Sequence, residues 1–263
     1  MLVTGTLRKM QTELQATVQY YWVLNDNFIH MNQLLDKKIH IKHVANECMN
    51  CGMDKKIWRQ GFCYDCFTSA PQAGDWIMKP ELSRAHLDQE DRDLEYEKSV
   101  QLKPHIVYLA NSSNVKVGVT RKTQVPTRWI DQVSHEAIAI LETPNRYLAG
   151  IAEVALKDHV ADKTNWRKML TGQTQDEDLA AVRDQLKQFI PQEALRFFLD
   201  QNKEQHMDFP VTQYPEKVQS INLVKTPSFK NTLTGIKGQY LIFKDQRVFN
   251  VRSHEGFVVK LSF

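Results

Sequence analysis

The chain has 263 residues, of which 42% are hydrophobic and 25% are charged, and its formal net charge is +3. This length suffices for two or three modest domains, and the composition is typical of a globular protein. There is no apolar run long enough to span a bilayer, and the first residues lack the basic start and apolar core of a secretory signal. We therefore expect a cytoplasmic protein with no membrane partner.

Positive charge is concentrated in one part of the chain. Between Lys98 and Ile130 there are six Lys and Arg residues and no Asp or Glu, whereas residues 175–205 are rich in acids. A local basic block suits a polyanionic partner, because phosphate neutralisation depends on local charge. A solvated face of uneven composition is the alternative interpretation.

The N-terminal segment, residues 1–45, predicts a run of short strands at 3–7, 15–23, 28–31 and 38–44. The last of these shows the alternation of a half-buried strand in KIHIKHV. We expect this β-rich segment to be one structural unit, and its pairing with the β-rich C-terminal segment stays open.

All four cysteines fall within nineteen residues, in the pattern Cys-x2-Cys, eleven residues, Cys-x2-Cys. Two knuckles at this spacing can place Cys48, Cys51, Cys63 and Cys66 around one Zn²⁺ ion, and four sulfur ligands make that zinc structural. Gly52 supports a tight knuckle because glycine tolerates positive φ. Disulfides are the alternative, which a cytoplasmic location disfavours, and a redox motif would need only one pair.

The zinc ribbon is predicted to span residues 46–70, and the loop between its two knuckles is basic and aromatic. Lys55, Lys56, Trp58 and Arg59 could hold phosphate and stack on a base. They could equally pack against the next domain.

The remaining segments differ in their predicted secondary structure. Residues 71–104 predict a polar linker with one short helix, 105–170 an α/β domain and 171–210 a helical segment. Residues 211–263 predict a C-terminal β segment that includes a strand-like run at 232–243. The central domain begins with a hairpin of strands 106–109 and 115–119, followed by a helix at 126–133, a strand at 137–142 and an amphipathic helix around Leu148 to His159. The predicted fold class is therefore α+β, with β-rich ends, a zinc ribbon and a central α/β domain.

This central order of elements resembles the GIY-YIG nuclease domain over about sixty residues. In that family a first strand ends in Gly-Ile-Tyr and a second carries Tyr-Ile-Gly, and an Arg, a Glu and often an Asn follow. The chain has Ile106-Val107-Tyr108 and Lys116-Val117-Gly118 in the two strands. The Arg would be Arg128, with Arg121 as competitor, the metal-binding Glu would be Glu153, and the Asn would be Asn165.

The resemblance implies metal-dependent cleavage of a phosphodiester. Glu153 would bind Mg²⁺ or Mn²⁺, Tyr108 would orient or deprotonate water, and Arg128 would hold the phosphate. Lys116 stands where the family has tyrosine and could supply the cation that a phenol needs to act as a base. Arg121 and Lys122 extend the basic hairpin as contacts for nucleic acid.

Each of these residues also has a structural interpretation. Tyr108 could be a strand aromatic, Lys116 a solvated lysine, and Arg128 the start of an amphipathic helix. Glu153 lies in an apolar helical stretch, where burial would require a partner, but the spacing does not force it inward.

Across nearly its whole length the chain also resembles a bacterial family of domains of unknown function, number 2797, on stretches such as GFCYDCF, RWIDQ and GIKGQYLIF. Three functions stay open: a nucleic-acid-binding protein with possible GIY-YIG-like cleavage, a non-catalytic adaptor on RNA, DNA or a ribonucleoprotein, and a protein-binding scaffold. The sequence does not determine the oligomeric state.

Overall fold

A computed structural model describes residues 1–160, 165–174 and 176–263. The chain divides into two compact units. The first comprises Met1–Ser69, Leu170–Gly172 and Asp208–Phe263, and the second comprises Ala70–Met169 and Gln173–Met207. None of the helices in these described ranges has the length and apolarity to cross a bilayer.

The strands share the short lengths that are usual in mixed folds. In chain order they are β1 (Leu2–Thr6), β2 (Gln11–Glu13), β3 (Gln19–Leu24), β4 (Asn27–His30), β5 (Lys38–Asn46), β6 (Ile57–Arg59), β7 (Phe62–Cys63), β8 (His105–Asn111), β9 (Val115–Arg121), β10 (Glu136–Thr143), β11 (Gln205–His206), β12 (Gln219–Ile221), β13 (Ser228–Lys237), β14 (Tyr240–Phe243), β15 (Arg247–Asn250) and β16 (Phe257–Ser262).

The helices are shorter than the sequence predicts at several places. They are α1 (Tyr64–Ser69), α2 (Leu94–Gln101), α3 (Thr127–Asp131), α4 (Arg146–Lys157), α5 (Trp166–Leu170), α6 (Leu179–Leu186) and α7 (Gln192–Leu195). Together with the strands they confirm the predicted α+β class.

In the first unit the two ends of the chain share one sheet. Its order is β1-β16-β5-β13-β14-β15-β12, and a separate three-stranded sheet has the order β2-β3-β4. Alternation explains the inward faces, because Tyr20, Trp22 and Leu24 of β3 are all buried while their neighbours are half-buried.

Two strand predictions differ from the observed boundaries in this unit. The predicted strand 15–23 begins only at Gln19, since the preceding residues form a bend before β3. The predicted run 232–243 is two strands, β13 and β14, joined by a turn at Gly238, which has φ +60°. Glycine adopts this left-handed conformation without steric cost.

The second unit is built on a four-stranded sheet with the order β11-β10-β8-β9. β8 pairs antiparallel with β9 and with β10, and every residue of β8 is buried. Val107 and Leu109 of β8 pack in one apolar cluster with Ala149 and Leu156 of α4 and with Leu186 of α6. This cluster is the core of the unit.

Residues 71–104, which the sequence predicts to be a linker, are instead packed into the second unit. They form four short 3-10 turns and α2, and the side chain of Trp76 is buried. The guanidinium of Arg146 donates hydrogen bonds to the carbonyl oxygens of Trp76 and Ile77, at 3.1 and 2.8 Å. These bonds and the buried indole explain why a polar, proline-containing segment is ordered.

The same segment meets α4 at Gly150. A Cβ atom at this position would fall on the backbone nitrogen of Glu81 and the carbonyl carbon of Pro80. The glycine therefore allows the segment backbone to lie directly on the helix.

Gly150→Ala should destabilise the protein by about 1–3 kcal/mol, because the backbone of residues 80–81 must move to admit the methyl group. In an ordinary helix the same change stabilises by roughly 0.5–1 kcal/mol, so the sign of the effect is diagnostic. Urea unfolding measures the difference. Val154→Ala, at an exposed position of the same helix, is the control and should change stability little. A stabilised Gly150→Ala variant would contradict the close approach.

Candidate metal centre and nucleic-acid interface

The four cysteines converge at the junction of β5, β6, β7 and α1. The Sγ atoms of Cys48, Cys51, Cys63 and Cys66 all lie within 4.8 Å of one another, and none is in a disulfide. A tetrahedral zinc site with bonds of about 2.3 Å has sulfur atoms about 3.8 Å apart. This separation lies within the 4.8 Å that encloses the four sulfur atoms, so the cluster can hold a zinc ion.

The backbone of the first knuckle forms a tight turn, and N–H groups donate hydrogen bonds to sulfur atoms of the cluster. Gly52 has φ +68°, and its backbone N–H donates to the carbonyl of Cys48 at 2.8 Å. The N–H of Cys63 donates to Cys48 Sγ at 3.2 Å, and the amide of Asn50 donates to Cys66 Sγ at 3.4 Å. Such bonds to sulfur orient ligands and stabilise thiolate charge.

The surroundings of Cys48 favour the thiolate form of its side chain. Burial raises its pKa, but backbone N–H groups of Cys51, Cys63 and Asn50 lower it by more, and the resulting pKa is about 6. Thiolates bind metal, so this environment fits a structural site in which four sulfur ligands leave no position open for chemistry.

An aromatic pair stands exposed on this ribbon. Trp58 on β6 is 50% exposed and Tyr64 at the start of α1 is 60% exposed. Their ring centroids are 5.6 Å apart and their planes meet edge to face at 88°. Large aromatic side chains that a metal-held ribbon leaves in solvent are a feature of binding surfaces.

The predicted basic residues of the ribbon lie near this aromatic pair. They differ in whether an acidic side chain compensates their charge. Lys55 is ion-paired with Asp65 at 2.9 Å, so part of its charge is compensated. Lys56 and Arg59 are exposed, and neither makes an ion pair within the described ranges. They are the side chains of this loop best able to contact phosphate.

In the second unit, Tyr108 is fully buried and directly opposite Gly118 in the β8–β9 register. A Cβ atom at Gly118 would lie 2.6 Å from the tyrosine hydroxyl. That hydroxyl donates to Gln132 Oε1 at 2.8 Å, and the ring lies 5.9 Å from Trp129. Burial raises the pKa of Tyr108 to about 12, although Arg128 opposes the shift. A phenol in this state is a poor base at neutral pH.

Arg128 is the link between two of the other predicted site residues. Its positive charge opposes the rise in the pKa of Tyr108, and it adds to the effect of burial in lowering the pKa of Lys116 to about 8. Lys116 and Tyr108 project from paired strands, and Arg128 reaches them from α3. The structure therefore brings these three side chains into one cluster.

Glu153 is buried on α4 with an incomplete set of partners. Its Oε1 lies 3.5 Å from Lys157 Nζ, whereas its Oε2 is buried without a hydrogen bond. Burial raises the pKa of Glu153, Lys157 and Arg146 oppose the shift, and Glu81 adds to it. Its interaction with Tyr108 is electrostatic, since the Glu153 charge raises the tyrosine pKa, and no direct contact joins the two.

The secondary candidates have separate structural contacts. Arg121 is half-buried at the end of β9, and Lys122 is ion-paired with Glu142 at 2.7 Å. Asn165 accepts hydrogen bonds from the backbone N–H groups of Arg167 and Lys168, so it caps α5. A capping role accounts for Asn165 without catalysis.

Sequence reasoning missed two charged residues of this region, Arg146 and Glu81. Burial first, and then the charges of Arg128 and Arg121, lower the pKa of Arg146 to about 10. The Oε2 atom of Glu81 is buried without a hydrogen bond, as is that of Glu153. Glu81 lies in a segment predicted to be a linker, and no local sequence pattern marked it. Its position against α4 becomes evident only from the close approach of the backbone at Gly150.

The fold and the cysteine cluster define a mixed α+β protein with a four-cysteine site of the kind that holds structural zinc. The chain belongs to the family described as Protein of unknown function (DUF2797), whose model matches residues 36–259. No curated protein and no solved structure gives a significant match. The family description names no activity, and the function is therefore inferred from the chemistry of the residues.

Removal of zinc should disorder the ribbon. Cys63→Ser replaces a buried sulfur ligand, so we expect the purified protein to lose the zinc ion held by the cysteines and to be cleaved by protease within residues 47–66. Zinc is measured by atomic emission after dialysis. Asp65→Asn is the control, because it removes an exposed charge between two ligands and should keep the zinc. Full zinc occupancy in Cys63→Ser would contradict the assignment.

Proposed function

We propose that this is a zinc-containing nucleic-acid-binding protein that contacts its partner through the exposed surface of the ribbon. The carrying observation is the exposed pair Trp58 and Tyr64, with Lys56 and Arg59 beside it. Aromatic faces stack on bases of any sequence, and unpaired cations neutralise phosphates. These two chemistries together select single-stranded DNA or RNA over a purely protein partner.

A second basic cluster lies in the other unit and supports the same partner class. Lys116, Arg121, Arg128 and Arg146 are near enough that Arg128 lowers the pKa of both Lys116 and Arg146, and Arg121 also lowers that of Arg146. Glu153 and Glu81 offset part of this charge at Arg146, and clustered cations give a positive local field. Such a field attracts polyanions.

Phosphodiester cleavage is the second candidate function. It is favoured by the order of strands and helices from β8 to α4, which is consistent with the GIY-YIG resemblance, and by the electrostatic interactions among Tyr108, Lys116, Arg128 and Glu153. In this reading Glu153 would bind Mg²⁺ or Mn²⁺. Against it stand the complete burial of Tyr108 and its bond to Gln132. We therefore infer a nuclease-like scaffold that binds without cutting.

The ribbon surface is tested by fluorescence anisotropy with labelled single-stranded DNA and RNA over a range of salt concentrations. Trp58→Ala should weaken binding about tenfold, since one base stack contributes about 1–3 kcal/mol. Arg59→Gln should reduce the slope of log K against log salt by about one.

Phe28→Ala is the matched control for this test. Phe28 is 63% exposed in the same unit but lies on β4, outside the ribbon, so affinity should be unchanged. If the full-length protein shows no salt-sensitive binding to either nucleic acid, the proposed function fails.

Cleavage is tested with linear and branched DNA and RNA in the presence of Mg²⁺ or Mn²⁺. We expect no product above the level given by Glu153→Gln, because a buried phenol with a pKa of about 12 cannot readily deprotonate water. Metal-dependent product that Glu153→Gln and Tyr108→Phe both abolish, with nucleic-acid affinity retained, would instead assign catalysis to this cluster.

A further inference from the structure

Ligand-type side chains meet at one end of the four-stranded sheet of the second unit. Across three neighbouring strands Glu136 is directly opposite both Asn111 of β8 and His206 of β11. Directly paired residues project to the same face of a sheet, so these three side chains form one row. Glu204 precedes His206 by two residues and joins the same side.

The distances in this row suit a bound ion better than a hydrogen bond. One ligand atom from each of Glu136, Glu204 and His206 can be chosen so that all lie within 4.8 Å of one another. Glu136 Oε2 and His206 Nδ1 are 4.0 Å apart, which is too long for a hydrogen bond. Two ligands that each lie about 2.0–2.2 Å from one metal ion can have this separation.

The carboxylates are already oriented by groups behind them. Asn111 Nδ2 donates to Glu136 Oε1 at 2.8 Å, which leaves the second oxygen of Glu136 to face His206. The backbone N–H of Ala180 donates to Glu204 Oε1 at 3.0 Å. Supporting hydrogen bonds of this kind fix metal ligands in place.

The charge of Glu136 is also poorly compensated by protein groups. Its residue is only 5% exposed, and its ion-pair partners among the described residues are His135 at 3.4 Å and His206 at 4.0 Å, with no Lys or Arg. A buried carboxylate needs a countercharge, and a divalent cation would provide it.

Three buried hydroxyls of residues close in the chain to Asn111 and Glu136 give an independent indication. Ser112 and Ser113 directly follow Asn111, and Ser134 is two residues before Glu136. All three are at most 1% exposed, and their hydroxyls have no hydrogen-bond partner within the described ranges. Buried polar groups are normally satisfied by protein or ordered water, and water molecules of an ion's hydration shell would satisfy these.

We propose that Glu136, Glu204 and His206 bind one divalent first-row metal ion, Mn²⁺ or Zn²⁺. Two carboxylates and one imidazole match the ligand preferences of these ions. Three protein ligands leave a coordination position for water. The side chain of His206 is 71% exposed, so the ion has a route from solvent. This site is separate from the cysteine cluster and does not depend on nucleic-acid binding.

The test uses the full chain with zinc already bound at the cysteines. Mn²⁺ is titrated and the free ion is followed by its electron paramagnetic resonance signal, and binding of a second equivalent of Zn²⁺ is measured by equilibrium dialysis. We expect one saturable site for at least one of these ions. His206→Ala and Glu136→Gln should each weaken that site at least tenfold.

One control variant and one check of the fold keep the result interpretable. Glu142→Gln lies on the same strand but pairs with Lys122, so it should bind metal like the unmodified chain. Glu136→Gln alters a buried residue and its fold is checked by circular dichroism, whereas the exposed His206 can be removed without cost to the core. The proposal is overturned if neither ion occupies a second site, or if His206→Ala binds as tightly as Glu142→Gln.

Discussion

The complete burial of β8 is the constraint on which the second unit depends. A strand buried along its whole length must be covered on both faces, because its side chains alternate between them. Val107 and Leu109 are covered by α4 and α6, and Tyr108 on the other face packs near Trp129 and over Gly118. The positions of the helices follow from this need for coverage.

The burial of β8 also explains, by packing, why the hairpin has a Tyr in one strand and a Gly in the other. The tyrosine of the first strand needs space above the second strand, and the glycine directly opposite provides it. A Tyr in one strand and a Gly in its partner are therefore expected from packing alone, with or without catalysis. The pattern that resembles a nuclease reflects the shape of the sheet at least as much as its chemistry.

The ribbon and the Glu136 row are the two parts proposed to contact ligands, and a metal ion would stabilise each of them for a different reason. The ribbon has too few apolar residues to form a core, and four thiolates around a metal would replace one, which frees Trp58 and Tyr64 to remain in solvent. The Glu136 row lies within a well-packed unit, where a metal ion would instead compensate a buried charge. Neither arrangement depends on the nuclease resemblance.

Local patterns predicted much of what the structure contains. The cysteine spacing predicted the four-sulfur cluster, two β-type runs predicted the hairpin, and helical spacing predicted α4, because each depends on residues a few positions apart. The segment 71–104 was predicted less well, since its order comes from contacts with Arg146 and Gly150, far along the chain.

By itself the sequence determined the α+β class, the cysteine cluster and the resemblance of the central elements. Only the tertiary structure decided that Tyr108 and Glu153 are buried, because neither the alternation of a strand nor the spacing of a helix shows which face another element covers. Likewise, Glu136 and His206 are seventy positions apart in the chain and become neighbours only through the pairing of β10 and β11. Burial and pairing are properties of distant contacts, and no local pattern encodes them.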